Sequence, residues 1–217
     1  MLIADCGTVW TKIFDTKTKA VKLMQTQHLQ EADLPDFDWA TGHLGESRTK
    51  HYENELVCLA AGSLALVPEE DFLVVDIGGR DSKFCSFKKR ELNAMNWNRS
   101  CGGTTGFILD LLAKFYNIDY ADMPAMDEAY DVTCGIFGIE KVFDDHILGA
   151  SPQESVAKLI LSVAKNVYNF LEQPNKIYVS GGLCDNACFM ASLKTFAEAV
   201  PLGRFVLVEG LKELSKK

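Results

Sequence analysis

Apolar and polar positions alternate over four short stretches at the start of the chain, and a segment with helical spacing follows them. Residues 2–5, 10–15, 19–25 and 37–41 read as strands and Thr49 to Leu66 as a helix. The pattern then restarts, with strands expected at 72–77, 82–87 and 92–97. Helices come next. Phe107, Leu111, Leu112 and Phe115 fall on one face of the first. After Pro152, Val156, Leu159, Ile160, Val163, Val167, Phe170 and Leu171 recur at helical spacing, with Lys158, Ser162, Lys165, Asn166 and Asn169 opposite. Strands near 176–180 and 204–208 flank a last full helix over Phe189 to Val200. Strands first and helices after, twice over, predict an α/β protein of two related lobes, 1–67 and 68–217, with a ligand cleft between them.

The restart carries a repeated phrase. Asp5-Cys6-Gly7-Thr8-Val9-Trp10-Thr11-Lys12 and Asp76-Ile77-Gly78-Gly79-Arg80-Asp81-Ser82-Lys83 share the spacing Asp-x-Gly-x-x-x-(Ser/Thr)-Lys, and each ends a short apolar run. An acid leaving a buried strand, then glycine, then a hydroxyl and a lysine, suits a turn that grips a phosphate. Glycine lets the backbone approach, exposed N–H groups and the lysine supply positive potential, and the aspartate can hold a metal or its waters. Each copy alone also reads as an ordinary Asp/Gly turn between strands. A third glycine turn, Ser180-Gly181-Gly182-Leu183-Cys184-Asp185-Asn186, joins the strand Ile177-Tyr178-Val179 to a helix, the arrangement by which a backbone nears a nucleotide.

Composition narrows the class. Of the 217 residues, 47% are hydrophobic and 24% charged, as in ordinary soluble globular domains. A net charge of −8 argues against a nucleic-acid partner. The sequence has no run of transmembrane length and no signal-peptide pattern at its start, so a cytoplasmic protein without a membrane partner is expected. Seven cysteines make a disulfide framework implausible in that compartment and leave metal ligation or reactivity to consider.

Two of these cysteines stand in glycine-rich surroundings. Cys101 lies in Asn98-Arg99-Ser100-Cys101-Gly102-Gly103-Thr104-Thr105-Gly106, just before the Phe107 helix, where the helix N-terminus favours thiolate. Cys134 lies in Val132-Thr133-Cys134-Gly135-Ile136-Phe137-Gly138. Cys58, Cys85 and Cys188 sit in apolar periodic segments and read as small buried hydrophobes. Little apolar surface is evident around the two glycine-rich loops.

Together these motifs resemble the ATP-dependent activators of 2-hydroxyacyl-CoA dehydratases and the ATPase subunits of benzoyl-CoA reductase. Asp5 to Lys12 is similar to the family's opening turn, and Asp76 to Lys83 to its second phosphate turn except at Arg80. Asn98, Cys101, Thr105, Gly106 and Leu109 fall into the register of its first cluster motif, Cys134, Phe137 and Val142 into the second, and Gly181, Gly182 and Asn186 into its adenosine turn. The resemblance implies a two-lobed actin-like ATPase fold of the ribonuclease H-like type, with mixed sheets and an interlobe nucleotide cleft. It implies Asp5, Asp76 and Asp81 as catalytic carboxylates, the first two holding Mg²⁺. Gly7, Thr8, Thr11, Lys12, Gly78, Gly79, Lys83, Gly103, Thr104, Gly181, Gly182 and Asn186 would bind ATP or ADP. A region inserted at about 98–150 would carry Cys101 and Cys134 as ligands of a 4Fe–4S cluster shared across a homodimer. The expected activity is ATP hydrolysis that drives a low-potential electron from this cluster to a partner iron–sulfur dehydratase or reductase.

Several residues depart from the family pattern. Arg80 replaces a glutamine able to orient water, Val9 and Trp10 are bulky, Ile139 stands where the family has glutamate, and no helix is expected after the last strand, the chain ending in Leu211-Lys212-Glu213-Leu214-Ser215-Lys216-Lys217. Two other readings therefore stay open. One is a degenerate ATPase-fold protein that binds nucleotide or serves as a scaffold. The other is a small-molecule kinase of the same superfamily, with Asp81 or Asp185 as base.

Overall fold

The computed structural model describes residues 1–30, 32, 34–98, 106–123 and 126–216. They form two compact units: Met1–Val74, Phe84–Asn96 and Arg204–Lys217 in the first, Val75–Lys83 and Trp97–Gly203 in the second.

In the first unit, β1 (Leu2–Cys6), β2 (Trp10–Asp15), β3 (Val21–Gln25), β4 (Phe37–Thr41) and β5 (Thr49–Tyr52) form a mixed sheet in the order β3-β2-β1-β4-β5. The β1–β2 and β2–β3 pairs are antiparallel, and β1–β4 and β4–β5 are parallel. The β2–β3 turn is drawn tight by Asp15, whose carboxylate accepts from Lys17 N and Thr18 Oγ1. Helix α1 (Glu55–Leu66) is capped by the Asn54 side chain. The expected helix over Thr49 to Leu66 thus begins six residues late: Thr49-Lys50-His51-Tyr52 pairs with β4 instead.

A second mixed sheet runs in the order β10-β9-β6-β7-β8, from β6 (Phe72–Ile77), β7 (Ser82–Lys88), β8 (Glu91–Asn98), β9 (Lys176–Gly181) and β10 (Glu198–Gly203). Its helices are α2 (Gly106–Tyr116), α3 (Gly135–Ile147), α4 (Pro152–Phe170) and α5 (Ala187–Lys194). Helix α4 opens on a capping box between Ser151 and Glu154 with proline at its start, and it buries Val156, Leu159, Ile160, Val163 and Val167 as its spacing predicts.

Three expectations are corrected here. The helix read over Phe189 to Val200 stops at Lys194, because β10 at Glu198–Gly203 takes the following residues; as an edge strand it accommodates Pro201. The strand read at 204–208 is the start of α6 (Val206–Leu214), so a final helix is present. It packs on α1 backbone to backbone: a Cβ on Gly210 would strike the Cys58 carbonyl, and one on Gly62 the Val206 carbonyl. On α2 the buried face is Ile108, Leu109 and Leu112, while Phe107, Leu111 and Phe115 are exposed. Arg90 ties 84–96 to the first unit through the carbonyls of Leu64, Val67 and Glu69, and α6 ties 204–217 there through α1.

Candidate functional site

The first copy of the phrase begins where β1 ends. Asp5 and Lys12 face each other across the β1–β2 ladder, and Lys12 Nζ donates to Asp5 Oδ2 at 2.5 Å. Both residues are buried, and Asp5 Oδ1 lacks a hydrogen-bond partner among the described residues. An orphaned carboxylate oxygen in a buried ion pair is costly, so a ligand here would relieve it. The turn between them is kept open by Gly7, where a Cβ would lie 2.9 Å from the Trp10 carbonyl. Thr8 is exposed at the tip. Thr11 points elsewhere: its hydroxyl lies 3.0 Å from that of Thr26, which donates to the Gly7 carbonyl at 2.7 Å. Burial, then the Asp5 charge, push the neighbouring Cys6 thiol up to about 12, which keeps it protonated.

The second copy leaves β6 at Asp76, also buried. Its lysine makes a different contact: Lys83 Nζ donates to Asp81 Oδ1 at 2.5 Å, and Arg80, half exposed, lies 3.6 Å from the other Asp81 oxygen. Gly78 N donates to the Asp81 carbonyl at 3.0 Å, closing the turn. The carbonyls of Gly78 and Gly79 accept from the first two amides of α2, Gly106 at 3.1 Å and Phe107 at 3.0 Å.

The glycine turn after β9 belongs to the same unit and lies against this one. Gly181 has φ +90, and a Cβ there would be 2.7 Å from both Ile77 C and Ile77 N, so only glycine fits. Beside it Ser180, fully buried, donates its hydroxyl to Asp76 Oδ1 at 2.7 Å. Nothing lies within 4 Å of a Cβ on Gly182, which leaves open space over that residue. Asn186 caps α5, its Oδ1 accepting from Phe189 N, while its buried Nδ2 has no hydrogen-bond partner among the described residues. Ser180 escaped the sequence reading because its contact depends on β9 lying beside β6.

Cys101, Gly103 and Thr104 lie outside the described residues. Cys134 is the cap residue of α3, half-buried, and α4 grips the chain on both sides of it. Ser162 donates to the Tyr130 carbonyl at 2.9 Å and Asn166 to the Val132 carbonyl at 3.0 Å. Asp145 on α3 accepts from the Tyr130 hydroxyl at 2.8 Å and from Lys158 at 3.0 Å. The polar stripe Lys158, Ser162 and Asn166, expected opposite the core face, thus holds the loop that carries Cys134. Among the described residues no three His, Cys, Asp or Glu side chains gather around a metal position. Cys58, Cys85 and Cys188 are core residues as expected, and burial raises the Cys58 and Cys188 thiols. The helices that follow Cys101 and Cys134 in the sequence expose apolar side chains, Phe107, Leu111 and Phe115 on α2 and Phe137 and Ile147 on α3, contrary to the expectation of little apolar surface there.

Two mixed sheets with their covering helices, and a glycine turn at the end of β1, β6 and β9, define the actin-like ATPase fold. No protein-family model matches the chain. By sequence it is similar to the 2-hydroxyisocaproyl-CoA dehydratase activator of Clostridioides difficile, 27% identical over 157 residues that cover 67% of this chain and 58% of the relative. It is likewise similar to the (R)-2-hydroxyglutaryl-CoA dehydratase activating ATPase of Acidaminococcus fermentans, 24% identical over 76% of this chain and 67% of the relative. The matches thus span roughly three fifths to two thirds of those proteins. By fold it is similar to the Clostridium difficile activator solved with ADPNP bound, with a TM-score of 0.80, 20% identity and coverage of 99% of this chain and 93% of that one. In sequence and in fold the chain resembles the activators of 2-hydroxyacyl-CoA dehydratases, the resemblance its motifs carry. No helix among the described residues is long and apolar enough to cross a membrane.

Proposed function

We propose that the chain is an ATP-dependent activator that binds ATP or ADP with magnesium, works as a homodimer and delivers an electron to a partner dehydratase or reductase. The observation that carries the nucleotide reading is the junction in the second unit, where Gly181 lies on the Ile77 backbone and Ser180 on Asp76. A glycine turn for a nucleoside and an acid–glycine turn for phosphates are fastened to each other there. Gly181 and Gly182 accommodate the nucleoside, and the amides of the 76–83 turn with Lys83 receive phosphate oxygens. In the first unit Gly7, Thr8 and Lys12 have the same task. Asp76 in the second unit is a candidate to hold a hydrated magnesium ion, and Asp5 in the first is another, an assignment that its orphaned oxygen supports.

Cys134 fits one position of a 4Fe–4S cluster, since a helix N-terminus favours thiolate. Cys101 is the second candidate, and a second copy of the chain would contribute the remaining two thiolates. The exposed apolar side chains of α2 and α3 support such a pairing. When bound, the cluster supplies a low-potential electron, and hydrolysis of ATP to ADP and phosphate supplies the free energy. The chain's own residues bind the nucleotide, and α4 holds the segment that carries Cys134. The substrate chemistry belongs to the partner.

One observation favours a second reading, a nucleotide binder with slow or absent hydrolysis. Asp81 is engaged by Lys83 and approached by Arg80, which leaves it poorly placed to orient a water. That engagement also weakens the kinase reading, which needs Asp81 or Asp185 as base. Thermal melting with and without millimolar Mg-ATP tests the nucleotide half: binding should raise the midpoint, and Asp76→Ala should lose most of the shift. An unchanged wild-type midpoint would refute it.

A further inference from the structure

The two copies of the repeated phrase treat their leading aspartates differently. In the first, the terminal lysine reaches the leading acid, Lys12 Nζ to Asp5 Oδ2 at 2.5 Å. In the second, Lys83 reaches Asp81, and Asp76 is held by the hydroxyl of Ser180 at 2.7 Å. A lysine offsets the charge of the carboxylate it binds. A serine hydroxyl orients the carboxylate while leaving its full negative charge for another ligand.

The surrounding packing makes this contact rigid. Ser180 is fully buried, and the next residue, Gly181, sits so close to the Ile77 backbone that no side chain fits between. Ile77 follows Asp76 directly on β6. The hydroxyl and the carboxylate are therefore fixed by two adjacent strands whose separation is set one residue away.

We propose that Ser180 is the positioning residue for Asp76: it pins Oδ1 so that Oδ2 is presented to the hydrated divalent cation that accompanies a nucleotide. The inference rests on the nucleotide reading above and names the residue that sets the cation affinity of that site. Ligand-holding carboxylates depend on such supporting hydrogen bonds for their orientation.

Manganese, which substitutes for magnesium and is visible by electron paramagnetic resonance, is the probe. The wild type and Ser180→Ala, Ser180→Thr and Ser180→Cys are titrated with Mn²⁺ in the presence of ADP, and separately with ADP in EDTA. Ser180→Ala should bind Mn²⁺–ADP about tenfold more weakly, the size of one hydrogen bond to a charged group, with metal-free ADP affinity unchanged. Ser180→Thr, which keeps the hydroxyl, should retain the wild-type value. Ser180→Cys, close in volume but a weak donor, should repeat the alanine loss and replaces that variant should alanine fail to fold. Equal Mn²⁺–ADP affinity in wild type and Ser180→Ala would overturn the inference. So would an equal loss of metal-free ADP affinity, which would mark Ser180 as scaffold only. Wild-type protein that binds ADP without any gain from Mn²⁺ overturns the inference and spares the nucleotide reading; wild-type protein that binds neither overturns both.

Discussion

Gly106, the first residue of α2, donates its amide to the carbonyl of Gly78 at 3.1 Å. The first amides of a helix have no partner within it, and here the carbonyls of Gly78 and Gly79 satisfy two of them. The 78–79 turn, proposed above to take phosphate, and the helix that follows Cys101 in the sequence are thus hydrogen-bonded to each other. Any shift of the turn on nucleotide binding has a direct route to the start of that helix.

Amide hydrogen exchange tests this link. Saturating Mg-ADP should slow exchange at Gly106 and Phe107, because tightening the 78–79 turn tightens the bonds its carbonyls accept. Unchanged exchange at both amides in protein shown to bind nucleotide would separate the turn from the helix.

The two glycines after β9 should respond oppositely to alanine. Gly181→Ala places a methyl on the Ile77 backbone at a positive φ, so a loss of at least about 3 kcal/mol, or no soluble protein, is expected. Gly182→Ala meets open space and should change stability by no more than about 0.5 kcal/mol. Should a nucleoside occupy that space, the Gly182 variant will be stable yet bind nucleotide poorly. Denaturant unfolding and nucleotide titration of both variants check the contrast.

The α3–α4 clamp beside Cys134 predicts a pH window. Lys158, and then the Tyr130 hydroxyl, hold the Asp145 carboxyl below the usual carboxylate range, and Asp145 in turn holds the Lys158 ammonium above its ordinary value. The Asp145 contribution is fully present above its unfolded value, about pH 4, and is lost as pH falls through the lower folded value. The Lys158 contribution is present below its unfolded value and is lost as pH rises through the higher folded one. Asp145→Asn should therefore cost no more than about 1 kcal/mol at pH 7 and should flatten the acid limb of the stability curve. An acid limb identical to that of the wild type would contradict the clamp.

Local patterns made β1, β6 and β9 and their glycine turns legible, since each is a short apolar run stopped by glycine. The Asp5–Lys12 pair was legible in residue type, and its geometry follows from the antiparallel register of β1 on β2. Where partners are remote, the sequence misled. Val206-Leu207-Val208 fits strand and helix equally, and only the contact of Gly210 with α1 explains a glycine within that helix. Phe107, Leu111 and Phe115 share a face by their spacing, yet α2 packs through Ile108, Leu109 and Leu112, because spacing alone does not say which face meets the sheet. Ser180 carried no signal, because nothing in the order of residues brings it to Asp76, 104 positions away.

The activator proposed above shares its cluster between two copies of the chain. Iron analysis combined with sedimentation of the anaerobically reconstituted protein tests it most directly, with Cys134→Ser and Cys101→Ser alongside. A dimer holding about two irons per chain, that is one four-iron cluster per pair, is expected, with that iron lost in either variant. A monomer with a full cluster, or iron content unaltered in both variants, would contradict it.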